Sequence, residues 1–187
     1  MNRILAQSGN VAQWQALVHD AATHAGIQLD EELESYLVFT LMRYLSRPDM
    51  TQRIMALDFL AAMQQDEPGR SGSLRDVGDQ CLLYSGLFPR RVERRRVRVS
   101  YYVDLGRSAY QSLAASLQNM AQLFDRLAED FVVAMDTLQS IRVMANQTNG
   151  LTALQSYELW QATQSRVARQ AFSPDSLPVL NPDTRRH

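Results

Sequence analysis

The chain has 187 residues, of which 45% are hydrophobic and 21% are charged, and its formal net charge is -1. These values are typical of globular domains, and they exclude wholesale disorder and a fibrous architecture. All 19 basic residues are arginine, which excludes lysine-dependent chemistry such as Walker-type phosphate loops and Schiff bases. Because no apolar run approaches the length of a membrane-spanning helix and no secretory signal pattern is present, we expect a cytoplasmic protein that does not act in a membrane.

The first part of the chain predicts three helices. Apolar residues along one face predict the first helix over residues 9–26. The second begins after an N-cap at Asp30, has acidic residues in its first turn, and stops at Pro48. Asp49 with Gln52 forms a capping-box variant that predicts the start of the third helix.

A loop and a fourth helix are predicted next. The run "DEPGRSGS" of residues 66–73 is rich in Gly, Pro and Ser, which is typical of a loop. Ser73 and Asp76 form a second capping pattern, which predicts where the fourth helix starts. Gly86 and Pro89 predict its end.

Residues 96–103 permit two assignments. They alternate between polar and apolar side chains and are rich in strand-favouring residues, which is typical of a strand. Tyr102, Leu105, Ala109 and Leu113, however, would lie on one side of a helix. We therefore predict a helix here and keep the strand as the alternative.

The strongest periodic pattern lies in residues 117–146. Its apolar residues repeat at three- and four-residue intervals over four heptads: Leu117, Met120, Phe124, Leu127, Phe131, Ala134, Leu138, Ile141 and Ala145. The pattern predicts one long helix with an apolar seam, and Asn149 with Gly150 predicts the turn that follows it. A last helix, antiparallel to the long one, is predicted over residues 152–171, with Gln164 interrupting its apolar stripe.

Together these elements predict an all-α fold, a helical bundle of about six helices. We expect a single domain over residues 1–172. The tail of residues 173–187 contains three prolines and is predicted to be extended or disordered.

The stretch "RRVERRRVRV" of residues 90–99 concentrates positive charge locally. Residues 70–98 carry eight arginines and three acidic residues in a chain of almost neutral charge. The arginines of the stretch, here called the arginine cluster, are Arg90, Arg91, Arg94, Arg95, Arg96 and Arg98. Three hypotheses remain open: a site for nucleic acid or another polyanion, a contact with Glu31, Glu32 and Glu34 in the same molecule or a second copy, and a solvated connection.

A second candidate group consists of polar residues on two predicted helices: Asp76, Asp79, Tyr102, Asp104, Arg107 and Tyr110. Asp76 and Asp79 are three residues apart and therefore share a helix face. The group can line a small-molecule pocket, take part in catalysis, or form a buried hydrogen-bond network that fixes how two helices cross. Gly78 and Gly106 would permit close approach of the two backbones.

The segments "LRDVGDQCLLYSGLFP" and "YYVDLGRSAYQSLA" stand close together in the chain. This block resembles a family of bacterial proteins to which no activity is attached. The resemblance covers roughly residues 74 to 115, and it implies a real structural unit without implying a ligand, a partner or a reaction.

Other chemistry finds little support in the sequence. His19 and His24 are five residues apart and match no metal-ligand pattern, no cofactor motif is present, and Cys81 lies in an apolar run that predicts a buried thiol. We therefore expect a non-enzymatic helical protein-interaction or assembly module, bound to a protein partner or to a second copy, possessing neither a metal nor a cofactor. The alternatives are a regulator that binds nucleic acid or another polyanion through the arginine cluster, and a small-molecule-binding protein around Asp79 and Arg107.

Overall fold

A computed structural model describes residues 11–44, 54–94, 97–117, 119–145 and 150–172. These ranges contain ten helices and no strand, which confirms the all-α fold class, although the number of helices exceeds the predicted six. In chain order they are α1 (Val11–His24), α2 (Glu31–Tyr44), α3 (Met55–Met63), α4 (Gly69–Leu87), α5 (Pro89–Arg94), α6 (Val99–Ser116), α7 (Ala121–Glu129), α8 (Phe131–Met144), α9 (Ala153–Thr163) and α10 (Arg166–Ala171).

Helix α4 is the centre of the bundle. It packs against α3, α6 and α8, and each of its residues from 77 to 86 is buried. A helix with apolar and small residues on every side is stable only where other elements cover it on every side. The remaining helices surround α4, with α1 against α2 and α8, and α7 against α6.

Two glycines allow α4 and its neighbours to lie close together. A Cβ atom on Gly78 would lie 2.4 Å from the ring of Tyr110, and a Cβ on Gly106 would lie 2.4 Å from the ring of Phe131. Any side chain larger than hydrogen would therefore collide with an aromatic ring in the core. At both positions the nearest atoms belong to side chains, so the glycines make room for aromatic rings.

The prediction of one long helix over residues 117–146 is wrong. The chain forms α7 and α8 instead, with a break at Asp130, whose φ of -90° and ψ of 18° depart from helical values. The two halves pack on different partners, since α7 lies against α2 and α6 whereas α8 lies against α1 and α4. One straight helix cannot follow both directions, although the apolar periodicity continues across the break.

The apolar seam of residues 117–146 lies largely in the core of the molecule. Phe124, Leu127, Phe131, Ala134 and Leu138 are all buried within one molecule. This position removes the seam as a surface for self-association.

The single helix predicted over residues 152–171 is also divided. Gln164 adopts a left-handed conformation with φ of 60°, which ends α9, and Ser165 caps α10. The predicted pairing with the preceding long helix is found only in part, because α10 packs on α8 whereas α9 packs on α6. At the other end of α9, Thr152 and Gln155 form a capping box.

The other predicted helix boundaries are confirmed only in part. The Asp30 cap is confirmed, since its Oδ1 accepts a hydrogen bond from the backbone N–H of Leu33 at 2.8 Å. The loop predicted at residues 66–73 is partly wrong, because α4 already begins at Gly69. The predicted start of this helix at Ser73 and Asp76 is also wrong, since both residues lie inside α4. The assignment of the 96–103 stretch to a helix is confirmed from Val99 onward. The predicted cap at Asp49–Gln52 and the tail at 173–187 lie outside the described residues.

Candidate functional site

Asp79 forms a fully buried polar centre. It lies on α4 and is inaccessible to solvent. Its Oδ1 accepts a hydrogen bond from the Tyr36 hydroxyl of α2 at 2.5 Å and another from the Tyr110 hydroxyl of α6 at 2.9 Å. One carboxylate oxygen therefore links three helices.

The second carboxylate oxygen of Asp79 has weaker polar contacts than the first. Oδ2 accepts no hydrogen bond from the described residues, and the Nε of Arg75, one helical turn earlier, lies 3.8 Å away. Burial raises the pKa of Asp79 to about 6, although the hydrogen bonds from Tyr36 and Tyr110 and the charge of Arg75 act in the opposite direction. Burial, followed by the neighbouring carboxylate, also raises the pKa values of Tyr36 and Tyr110.

Asp76 forms a second, more open contact one turn before Asp79. Its Oδ1 accepts hydrogen bonds from Nη2 of Arg43 at 2.9 Å and from the hydroxyl of Tyr44 at 2.6 Å. Both donors belong to α2, so the two aspartates fix the position of α2 across α4. Burial raises the pKa of Tyr44, with further contributions from both carboxylates.

The structure separates three of the six predicted polar residues from this network. Nε of Arg107 donates to the backbone oxygen of Ala128 at 3.0 Å, which joins α6 to α7. Tyr102 is buried with its ring against Tyr84, the centroids being 5.8 Å apart, and Asp104 is exposed. The predicted group is therefore reduced to Asp76, Asp79 and Tyr110.

The residues of α2 that complete the network were not among the predicted site residues. Tyr36, Arg43 and Tyr44 supply most of the hydrogen bonds to the two aspartates. The available signal was the presence of two tyrosines among the apolar residues of this helix, because a buried tyrosine hydroxyl normally requires an acceptor.

A second buried carboxylate was also missed. Asp136 of α8 accepts a hydrogen bond from the hydroxyl of Ser165 at 2.5 Å and one from the backbone N–H of Arg166 at 2.7 Å. Burial raises its pKa to about 6 in spite of these donors. Asp136 thus joins the start of α10 to the core and fixes the end of the described chain.

The arginine cluster lies partly on α5. Arg90, Arg91 and Arg94 are exposed there, and Arg98 lies 3.9 Å from Glu158. The guanidinium of Arg91 stands over the ring of Phe88, 5.1 Å from its centre. Arg95 and Arg96 lie outside the described residues.

Glu93, the acidic residue within the cluster, is engaged inside the molecule. Its Oε1 accepts a hydrogen bond from the backbone N–H of Val99 at the start of α6, and its Oε2 accepts one from Nε2 of Gln155, each at 3.2 Å. A carboxylate at a helix N-terminus is favourable because it meets unpaired N–H groups. Both oxygens of Glu93 are therefore occupied.

The acidic start of α2 lies on a different part of the surface. Glu31 and Glu32 are exposed and border a groove that also contains Phe39, and Glu34 lies 3.5 Å from His19. Among the described residues, no ion pair joins this group to the arginine cluster.

Helix α3 carries exposed apolar side chains. Leu57 and Leu60 are 60% and 57% exposed, and Ile54 and Met63 at its two ends are also exposed. Ile54 borders a groove of about 630 Å³ between α3 and the start of α6. The groove residues are Ile54, Met55, Ala56, Val97, Arg98, Ser100, Tyr101, Tyr102 and Asp104.

The remaining candidates for chemistry are the single cysteine and the residue types that bind metals. Cys81 is fully buried, which confirms the sequence prediction, and burial raises the pKa of its thiol. Within the described ranges there is no group of three His, Cys, Asp or Glu side chains placed to hold a metal ion. The helices of those ranges also include none with the length and apolarity to span a membrane.

Comparisons of the chain with protein-family models, with curated proteins and with solved structures find no match. The fold and the side-chain geometry are therefore the observations from which a function is inferred.

Proposed function

We propose that the protein is a non-enzymatic assembly module that binds a second copy of itself through α3. The supporting observation is that α3 is apolar on both faces. Met55 and Ala62 pack into the core, whereas Leu57 and Leu60 face solvent, and Asp58 is the only charged residue of this helix. A surface helix normally presents polar side chains to water, and a helix that is apolar all round is normally covered on both sides.

Charge favours an antiparallel pair of α3 helices. Asp66 and Glu67 are exposed just beyond the end of α3, whereas Arg98 is exposed at the groove beside Ile54. A twofold axis through the middle of α3 would bring the acidic end of one copy toward Arg98 of the second, at both ends of the contact. The same arrangement offers the groove beside Ile54 to Met63 of the second copy.

The expected association is weak. Nine helical residues extend about 13.5 Å at 1.5 Å per residue, which is short for a helix-pair interface. Stable interfaces bury about 1,200–2,000 Å² in total. We therefore expect a dimer whose population rises through the micromolar concentration range.

The test is the molar mass measured by sedimentation over a range of protein concentrations. The wild-type mass should rise from the monomer value of 21.2 kDa toward twice that value. A Leu57→Glu/Leu60→Glu variant should remain monomeric at every concentration, because each glutamate would be buried against apolar side chains. The matched control is Leu154→Glu on α9, where the leucine is 66% exposed and the same change should leave the dimer intact.

Two results would overturn the proposal. One is a wild-type mass that stays at the monomer value at all concentrations. The other is unfolding of the Leu57→Glu/Leu60→Glu variant, which would show that another part of the same chain covers the face. The antiparallel geometry is tested separately by mixing an Asp66→Arg variant with an Arg98→Glu variant, since the mixture should associate more strongly than either variant alone.

A further inference from the structure

A groove of about 590 Å³ lies between α2 and the start of α7. The residues of α2 in this groove recur at three- and four-residue intervals, so one face of the helix forms its wall. The groove residues are Glu31, Glu32, Ser35, Tyr36, Phe39, Arg75, Met120 and Leu123.

The groove presents apolar side chains from both of its helices. Tyr36 and Leu123 are buried, whereas Phe39 and Met120 are 57% and 44% exposed. Phe39 is also the only exposed residue of the range 33–44, so a large aromatic ring stands at the one position of this range where a polar side chain would be solvated. Exposed apolar side chains that share a groove and have a polar rim are typical of a protein interaction site.

The charge of the groove is negative at one end. Glu31 and Glu32 are exposed in the first turn of α2, and their side chains form no ion pair or hydrogen bond with another described residue. Arg75 carries the one positive charge among the groove residues, and its Nε lies 3.8 Å from Oδ2 of the buried Asp79. Because this carboxylate balances the charge of Arg75, the two glutamates give the groove its net charge.

The acidic end and the apolar part of the groove are separated by a fixed distance. Phe39 follows Glu31 by eight residues of one helix, which corresponds to about 12 Å at about 1.5 Å per residue. A binding partner must therefore carry its positive charge about two helical turns from its apolar side chains.

We propose that this groove binds a short amphipathic helix of a partner protein, with Lys or Arg residues at the end that lies beside Glu31 and Glu32. A helix whose apolar residues recur at three- and four-residue intervals is the segment that a groove between helices accepts. The complementary charges at the acidic end determine the direction in which the helix lies. This surface is separate from α3, and the proposal does not depend on self-association.

The experiment uses two fluorescent synthetic peptides and the full-length protein. Both peptides have leucines at three- and four-residue intervals, and one carries lysines at one end where the other carries glutamates. Binding is measured by fluorescence anisotropy at low salt and again in added sodium chloride. The lysine peptide should bind at least about tenfold more tightly than the glutamate peptide, and salt should reduce this difference.

Two variants test the two parts of the groove. Phe39→Ser should weaken binding of the lysine peptide about tenfold or more, because it removes the exposed aromatic contact. Glu31→Gln/Glu32→Gln should weaken it about fivefold, as expected for the loss of exposed ion pairs. All three positions are exposed, so both variants should fold normally.

Each variant has a matched control. Leu154→Ser removes an apolar side chain that is 66% exposed on α9. Asp20→Asn/Glu129→Gln removes the same charge as the glutamate variant from exposed positions on α1 and α7 outside the groove. Both controls should bind the lysine peptide as the wild type does.

Three results would overturn the proposal. The first is absence of lysine-peptide binding at low salt, and the second is an equal loss of binding in the controls, which would show only general attraction. The third is a lower sedimentation mass for Phe39→Ser than for the wild type, which would show that a second copy covers the groove. The Leu57→Glu/Leu60→Glu variant should bind the lysine peptide as the wild type does, so this proposal and the α3 dimer fail independently.

Discussion

The hydroxyl of Tyr110 and the carboxylate of Asp79 lie 2.9 Å apart in a region closed to solvent, and this bond joins α6 to α4. Tyr36 donates to the same oxygen from α2. Two neutral donors on one buried carboxylate oxygen reduce the penalty of burying its charge without removing it. The pair thus fixes the relative position of three helices while leaving the carboxylate destabilised in its ionised form.

Substitutions at Asp79 should separate the loss of an acceptor from the loss of a charge. Asp79→Asn keeps an oxygen for Tyr36 and Tyr110, so the free energy of unfolding at neutral pH should change by no more than about 1 kcal/mol. Asp79→Ala leaves two buried hydroxyl groups without an acceptor. It should therefore lower the free energy of unfolding by about 3 kcal/mol. Urea unfolding of both variants provides the measurement.

Asp104→Asn is a suitable control for these variants, because it makes the same chemical change at an exposed position on α6. It should leave stability unchanged. If Asp79→Ala were as stable as Asp79→Asn, the hydrogen bonds would have no structural importance.

The two buried aspartates predict that the protein becomes more stable as the pH falls from about 6 to about 4. Burial raises the pKa values of Asp79 and Asp136 to about 6 from the ordinary 3.8, so in this window the folded form binds protons that the unfolded form does not. This stabilisation is fully present below the unfolded pKa and is lost as pH rises through the folded pKa. Each group contributes at most about 3 kcal/mol.

The measurement is the free energy of unfolding in urea at about pH 7.5 and about pH 5. Wild-type protein should be more stable at the lower pH. Asp79→Asn should remove one part of the pH dependence, and the double variant with Asp136→Asn should remove most of it. A wild-type protein that loses stability over this interval would contradict the prediction.

The fold class and the positions of most helices followed from the sequence because periodicity and caps are local signals. The break at Asp130 did not, since Phe124, Leu127, Phe131 and Ala134 keep the same spacing through it. What changes at the break is the set of neighbouring helices, and the choice of neighbours depends on the whole fold.

The candidate site was predictable to the same limited degree. The three-residue spacing of Asp76 and Asp79 predicted that they share one face of a helix. The structure joins Tyr110 to Asp79 by a hydrogen bond. Tyr36 and Tyr44, however, reach the aspartates from α2, which is separated from α4 by more than twenty residues of chain. Such contacts depend on how helices lie across one another, which no local pattern specifies.

Cys81 should be unreactive in the folded protein. Its side chain is inaccessible to solvent, and burial raises the pKa of the thiol, so little reactive thiolate forms. A colorimetric thiol reagent should label the protein only after unfolding in urea. Rapid labelling under native conditions would show that the core around α4 opens readily.

Gly106→Ala should be strongly destabilising because of the contact between α6 and the core. The added methyl group would lie 2.4 Å from the ring of Phe131 and 2.9 Å from Cβ of Cys81, and neither neighbour has room to move in a packed interior. We expect the free energy of unfolding to fall by about 3 kcal/mol. Thermal and urea unfolding provide the measurement.

Gly72→Ala is the matched control for this substitution. Gly72 is exposed within α4, and no atom lies within 4 Å of the position that a Cβ would take. Because alanine favours the helix by about 1 kcal/mol over glycine, this variant should be as stable as the wild type or more stable. If Gly106→Ala were tolerated as well as Gly72→Ala, α6 would have to lie farther from α4 and α8 than the structure places it, and the hydrogen bond between Tyr110 and Asp79 would have to lengthen with it.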